Sequence, residues 1–268
     1  MVDTVPNLVV FSDLDGTLLD HENYSWSPAI PALSRMKALG IPLVLASSKT
    51  SIEIAGLRAE MGFAHCPAIV ENGAGVLSAG TDAVEAGGDY ARIREILTSL
   101  PSDLREKFEG FGDMSAHRVS EVTGLSAVAA QDAKRRDFSE PGLWSGDVEA
   151  RTAFVAALQE QGVHARMGGR FLTLSFGATK ADRMEEICAG LDPKPAYLAL
   201  GDAPNDVEMI SAATYGVIIK NPHGAQIPRL SGEDAGHVRR SNAAGPVGWN
   251  EEVNATIDAV YGKENSHG

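Results

Sequence analysis

Cysteine is nearly absent from this sequence. Only Cys66 and Cys188 occur in 268 residues, too far apart for a Cys-x-x-Cys pair. Neither a disulfide framework nor a structural zinc site is expected, and a reducing, cytoplasmic setting is the simplest reading. Long apolar runs are missing too: no stretch reaches the roughly 20 residues that cross a bilayer, so no membrane partner is expected. Residues 1–8 carry Asp3 and Pro6 with no basic cluster ahead of an apolar run, which does not read as a secretory signal. Positive charge is scarce, with 23 Lys and Arg against 36 Asp and Glu and a formal charge of −13. Nucleic acids and anionic surfaces are gripped chiefly by Lys and Arg, so neither is an expected partner, although a small anion can still bind locally. Protein partners leave no signature. Repeats and low-complexity tracts are absent, and His21, His65, His117, His164, His223 and His237 show no His-x-x-x-His metal spacing.

A 44% hydrophobic content is enough for one large domain, or for a core carrying an inserted one. Residues 7–12 form a short apolar run that ends on DLDGT and reads as a buried strand. Apolar residues at 30, 33, 36 and 39, behind Pro28 and before Gly40, predict a helix; 41–47 reads as a second buried strand. A helix at 50–61, a strand at 68–70 and a hairpin strand at 75–78 continue the alternation. From about 80 to 169 the pattern changes to helices at 90–100, 120–136 and 148–161, with a break at Glu140-Pro141-Gly142. Helix 180–189, strand 197–200, helix 207–213 and strand 216–220 then restore it. The expected fold is α/β: a Rossmann-like parallel-sheet core from 1–80 and 170–268, with an α+β cap inserted at 81–169. Residues 231–244 read as a mobile surface connection and 263–268 as a frayed tail.

Chemistry is suggested by carboxylates at strand ends. In extended chain, residues i and i+2 point the same way, so Asp13 and Asp15 present two carboxyl groups together. One carboxylate can attack phosphorus and a second can protonate the leaving oxygen; Asp13 suits the first role and Asp15 the second. Two such anions facing a phosphate need a hard cation, and Asp202 and Asp206 of GDAPND add oxygen ligands, so Asp13, Asp15, Asp202 and Asp206 form the expected Mg²⁺ set. Ser47, ending the second strand, can donate to a phosphoryl oxygen, and Lys180 can supply a compact positive charge. Alone, an Asp-x-Asp is more often a turn or cap and a Lys a solvated helix charge. The ordered set at strand ends, where ligands bind in open parallel sheets, is what carries the reading.

DLDGT, a strand ending in Ser, a Lys and then GDxxND together resemble the haloacid dehalogenase-like superfamily, and a cap between the Ser and Lys motifs resembles its subfamily IIB. That resemblance implies a phosphatase working through an aspartyl phosphate. SSKT at 47–50, VENGAG at 70–75, RRDFSEP at 135–141, GGRFLTL at 168–174 and GPVGWNEEV at 245–253 further resemble the mannosyl-3-phosphoglycerate phosphatases. The implied substrate is a sugar-glycerate phosphate, mannosyl or glucosyl. Arg135, Arg136 and Arg170 are then expected at its carboxylate, Glu71, Asn72 and Glu140 at sugar hydroxyls, and Lys49 of SSKT as a further substrate contact. Arg and Glu in a cap also form solvated ion pairs, and Trp26, Trp144 and Trp249 are read as packing before sugar stacking. Residues 108–117 show weak periodicity. Sucrose-phosphate or hexose-phosphate hydrolysis, a phosphomannomutase-like phosphotransfer and a sugar-phosphate-binding module are the competing readings.

Overall fold

A computed structural model describes residues 7–84, 88–168 and 170–262. Residues 1–6 and the tail 263–268 lie outside them. Four strands open the chain: β1 (Leu8–Ser12), β2 (Leu43–Ala46), β3 (Ala68–Val70) and β4 (Gly75–Leu77). Then come β5 (Phe108–Gly110), β6 (Glu140–Trp144), β7 (His164–Gly168) and β8 (Phe171–Ser175), followed by β9 (Ala196–Gly201), β10 (Tyr215–Lys220) and β11 (Val238–Ala244).

Every residue of β1 and β2 is buried, as expected of central parallel strands covered on both faces. They sit in a seven-stranded sheet of order β11-β10-β9-β1-β2-β3-β4, parallel except for the β3–β4 hairpin. Alternate residues feed two cores: Leu8, Val10, Leu43 and Leu45 pack with Met36, Trp249 and Val253, while Val9, Phe11, Val44 and Ala46 pack with Met184 and Met209. Helices Ile30–Leu39 and Gly245–Tyr261 therefore cover one face, and Lys180–Cys188 and Val207–Ala212 the other. Helix Ile30–Leu39 stops at Gly40, whose φ of 66° lets its N–H turn back to the Lys37 carbonyl. Among the described residues no helix is long and apolar enough to cross a membrane.

The intervening strands form a separate antiparallel sheet of order β5-β6-β8-β7. On β8, Leu172 and Leu174 pack with Ile93, Leu97, Phe154 and Leu158, whereas Phe171 packs with Phe111, Val119 and Ala130. Period-two alternation thus places helices Asp89–Ser99 and Val148–Gln159 against one face and the shorter Ala116–Thr123 and Ala127–Ala133 against the other.

Several sequence expectations change here. The helix predicted over 120–136 is two helices, because Gly124 adopts φ 82° and ends the first. Glu140-Pro141-Gly142, read as a break, is the start of β6; Pro141 lacks an N–H, but its carbonyl accepts from Phe111 N at 2.8 Å. The connection predicted over 231–244 folds as helix Ser231–Ala235 and β11. Its polar sequence VRRSNAA suits a sheet edge, where only Val238 and Ser241 are buried and Arg239 and Arg240 pair with Glu252 and Glu233. Strands β7 and β8 pair from His164–Ser175 to Gly168–Phe171, and the chain leaves the small sheet after Ser175.

Candidate active site

The nucleophile candidate is set by the end of β1. Asp13 N donates to the Leu200 carbonyl of β9 at 2.9 Å. Behind it, the fully buried Trp249 donates from Nε1 to Ser12 Oγ at 2.9 Å, and that hydroxyl donates to the Asp13 carbonyl at 2.7 Å. Trp249 is therefore a packing residue that also fixes the strand end. The turn then depends on Gly16, at φ 83°, where a Cβ would lie 2.6 Å from Asn221 Nδ2 and 2.8 Å from Asp202 Oδ2.

Three strand ends and one helix start meet at this point. Asp202 ends β9 and is held by Thr17 Oγ1 at 2.7 Å on one oxygen and Asn221 Nδ2 at 2.6 Å on the other. Asp206 accepts the Asp202 and Ala203 amides on Oδ2 at 3.2 and 3.1 Å. Lys180, at the start of a helix capped by Thr179, places Nζ 2.6 Å from Asp13 Oδ1 and 2.7 Å from Asp206 Oδ1. The approach of that helix requires Gly73, where a Cβ would lie 2.1 Å from the Thr179 carbonyl carbon.

Oxygens of Asp13, Asp202 and Asp206 lie within 4.8 Å of one another, all in buried residues. Burial lowers Lys180, but Asp13 and Asp206 outweigh it and raise the ammonium well above its ordinary value. Burial first, with Asp206 and Asp202 adding, raises Asp13 against the pull of Lys180. Asp202 is likewise raised by burial, against its bonds to Asn221 and Thr17. Three clustered carboxylates share one ammonium, an excess of negative charge that a hard divalent cation with oxygen ligands would balance. The donor set therefore fits Mg²⁺ through Asp13, Asp202 and Asp206.

Asp15 stands outside that cluster. Its Oδ2 pairs with Lys49 Nζ at 2.9 Å, and its buried Oδ1 has no hydrogen-bond partner. Lys49, predicted to touch substrate, thus also holds the expected proton donor; burial lowers its ammonium, but Asp15, with Glu53 and Tyr24 adding, raises it on balance. Ser47 is buried just past β2, with Oγ accepting Lys49 N at 3.3 Å and its carbonyl accepting Asn72 N at 2.8 Å.

Beside Asp15 opens a cavity of about 370 Å³ built from both sheets: Asp15, Tyr24, Lys49 and Asn72 from the large-sheet segment, Arg136 and Arg170 among residues from the other. Of the clustered carboxylates, none lines this cavity or the larger one of about 450 Å³ beside Phe138 and Arg183, while Asp202 lines a separate cavity of about 360 Å³ with Asn221 and Ser241. Arg170 also donates to the Thr123 carbonyl at 3.3 Å and lies over the Phe171 ring.

Three predicted substrate contacts are placed elsewhere. Glu71 is buried and holds the second sheet's segment: its carboxylate accepts the amides of Asp137, Phe138 and Ser139 at 2.8, 3.3 and 2.7 Å and the Ser139 hydroxyl at 2.7 Å, and pairs with Arg136 at 3.1 Å. Glu140 is buried against Arg94 and Gly112 N, both at 2.8 Å, and burial raises its carboxyl. Its strand neighbour Pro141 lines the cavity, and alternation turns Glu140 to the opposite face. Arg135 is exposed, 3.9 Å from Asp132, and lines a different, 250 Å³ cavity. Sequence reasoning missed Thr17, Asn221 and Tyr24. Asn221 follows a predicted strand and Thr17 lies inside DLDGT, so attention to every polar group at a strand end would have found both; Tyr24 carried no such signal.

Comparison with known proteins bears on family and fold. A sequence profile described as haloacid dehalogenase-like hydrolase matches residues 10–105 and 159–226. The sucrose-phosphatase of Synechocystis, solved with sucrose and phosphate, is similar in fold at 15% identity and TM-score 0.62, covering 93% of this chain and 97% of that one. A Bacteroides thetaiotaomicron protein from a study of phosphatases of the haloalkanoate enzyme superfamily is similar at 18% identity and TM-score 0.61, covering 97% and 99%. A Streptococcus mutans protein is similar at 18% and 0.64, covering 95% and 99%.

Proposed function

We propose a reaction from the premise that this chain belongs to the haloacid dehalogenase-like hydrolase family: Mg²⁺-dependent hydrolysis of a sugar-glycerate phosphate ester through an aspartyl phosphate. The observation that carries it is the buried convergence of Lys180 with Asp13, Asp202 and Asp206 beside a cavity lined by Lys49, Arg136 and Arg170. Asp13 attacks phosphorus, so the Oδ–P bond forms as the ester P–O bond breaks, and Asp15 gives the leaving oxygen a proton. Water then attacks the aspartyl phosphate, with Asp15 taking its proton, and Oδ–P breaks to release phosphate. Ser47 donates to a phosphoryl oxygen, and Lys180 holds Asp13 and Asp206 in place. Bound Mg²⁺ supplies positive charge against the phosphoryl oxygens.

The lining supports the substrate reading. Lys49, Arg136 and Arg170 outnumber Asp15 and Glu53 around the cavity, which favours an ester with a second anionic group, such as mannosyl- or glucosyl-3-phosphoglycerate. The segment between β4 and the end of β8 serves as the cap that brings Arg136 and Arg170 to that group. Phosphate release with Mg²⁺ and with EDTA tests the reading, using both glycosyl phosphoglycerates, sucrose 6-phosphate, mannose 6-phosphate and 3-phosphoglycerate. Metal-dependent preference for the glycosyl phosphoglycerates is expected. Turnover of the other esters alone would retain the mechanism and overturn the substrate.

A further inference from the structure

Tyr24 lies in the loop that follows DLDGT, and packing does not account for it. Its φ is 58°, and Glu71 and Asn72 are the other non-glycine residues with positive φ among those described. Left-handed backbone is uncommon for a bulky side chain and persists where surrounding bonds over-determine it, often at ligand sites. The loop does over-determine it. Asp20 accepts the Glu22 and Asn23 amides on its carboxylate at 3.0 and 3.1 Å, and its carbonyl takes Tyr24 N at 3.0 Å. Asp20 N reaches the Ser25 carbonyl at 3.0 Å, closing the turn.

The ring so placed is not buried: Tyr24 is 51% exposed. It lines the cavity that holds Asp15 and Arg170, and Lys49 Nζ, the partner of Asp15, lies 5.6 Å from its centroid. Phe111, Phe171 and Pro141 also line that cavity, and Tyr24 offers a further flat apolar surface on the side that carries Asp15 and Lys49.

We infer that Tyr24 is a specificity-determining residue whose ring receives the apolar face of a ring-bearing leaving group, selecting sugar esters over small phosphates. This rests on the phosphatase reading and adds to it a residue that reads the part of the substrate carrying no charge. A sugar face presents aliphatic C–H groups that pack on an aromatic surface. Such packing is made in the bound substrate and the transition state alike, so it acts on KM more than on kcat.

Tyr24→Gly removes the ring where glycine adopts the same backbone without strain, so the fold is retained, and Tyr24→Phe keeps the ring. Both variants are assayed with Mg²⁺ on mannosyl-3-phosphoglycerate, sucrose 6-phosphate and mannose 6-phosphate, and on the ring-free esters 3-phosphoglycerate and glycerol 3-phosphate. The kcat/KM ratio of ring-bearing to ring-free esters is expected to fall about tenfold in Tyr24→Gly, carried by KM, and to stay at the wild-type value in Tyr24→Phe. An unchanged ratio, a change carried by kcat, or wild-type turnover of ring-free esters alone would overturn the inference while leaving the phosphatase reading intact. Wild-type protein that releases phosphate from none of these esters would overturn the phosphatase reading, and the inference with it.

Discussion

Lys180 is buried between two carboxylates. At 2.6 and 2.7 Å the ammonium bridges Asp13 and Asp206, so one charge ties the end of β1 to the β9 turn. Around it, neutral donors do the fixing: Thr17 and Asn221 occupy Asp202, and backbone amides occupy Asp206. Replacement of Asp13 by Asn keeps the shape and leaves this frame in place. Circular dichroism should therefore match wild type while phosphate release falls by roughly 10³-fold or more, because an amide does not form the acyl phosphate. Turnover within tenfold of wild type would take the nucleophile role from Asp13.

At the scale of elements, the two sheets are joined through Glu71. Three amides, one hydroxyl and the Arg136 guanidinium converge on this one buried carboxylate, and Ser51 reaches Asp137 at 2.6 Å beside it. Glu71→Ala leaves those donors without a partner, at about 1–3 kcal/mol for each buried group that water does not reach. Urea unfolding should show a loss of about 3 kcal/mol or more, and hydrogen exchange should quicken at 137–139; a loss below about 1 kcal/mol would mean water replaces the carboxylate without cost. A second link ties helix Ser231–Ala235 to β11. The Arg240 guanidinium, then the Leu230 amide, lower Glu233 to about 2 from its ordinary 4.5. A carboxyl lowered on folding contributes stability that is present above the unfolded value and lost as pH falls through the folded one. The melting temperatures of wild type and Glu233→Gln should differ at pH 6 and converge between about pH 4.5 and 2; a gap unchanged over that window would show that the charge is not what stabilises the link.

For the whole molecule, a divalent cation held by the carboxylate cluster would couple its binding to stability. Binding to the folded state alone adds about 2.7 kcal/mol at a ligand concentration 100 times Kd. Mg²⁺ should therefore raise the melting temperature of wild type, and Asp202→Asn should reduce that rise by removing one ligand charge from the cluster. Equal melting with Mg²⁺ and with EDTA would remove the metal from this site. Against the net charge of −13, Lys49, Arg136 and Arg170 outnumber Asp15 and Glu53 at one cavity, so an anionic ligand there would meet a local field opposite to the overall one.

The core and the polar residues gathered at one end of it were legible because they depend on local rules. Apolar runs such as LVVFS bury both faces of a parallel strand, and polar groups at strand ends fall together once the strands are parallel, so Asp13, Ser47, Lys180, Asp202 and Asp206 could be picked from order alone. The same rule found Asp15 but not its pairing with Lys49. What sequence could not decide lies where distant segments meet. Polar β11 carries no apolar run and becomes a strand only because β10 offers an edge to pair with. Pro141 and Gly142 look like a breaker, yet β8 and β5 flank them and make them a strand. Glu71 and Glu140 have the chemistry of sugar contacts, but the side each faces was set by packing between the sheets. A carboxylate's type is written in the sequence; what it bonds to is a property of the three-dimensional neighbourhood, and only tertiary structure supplies that.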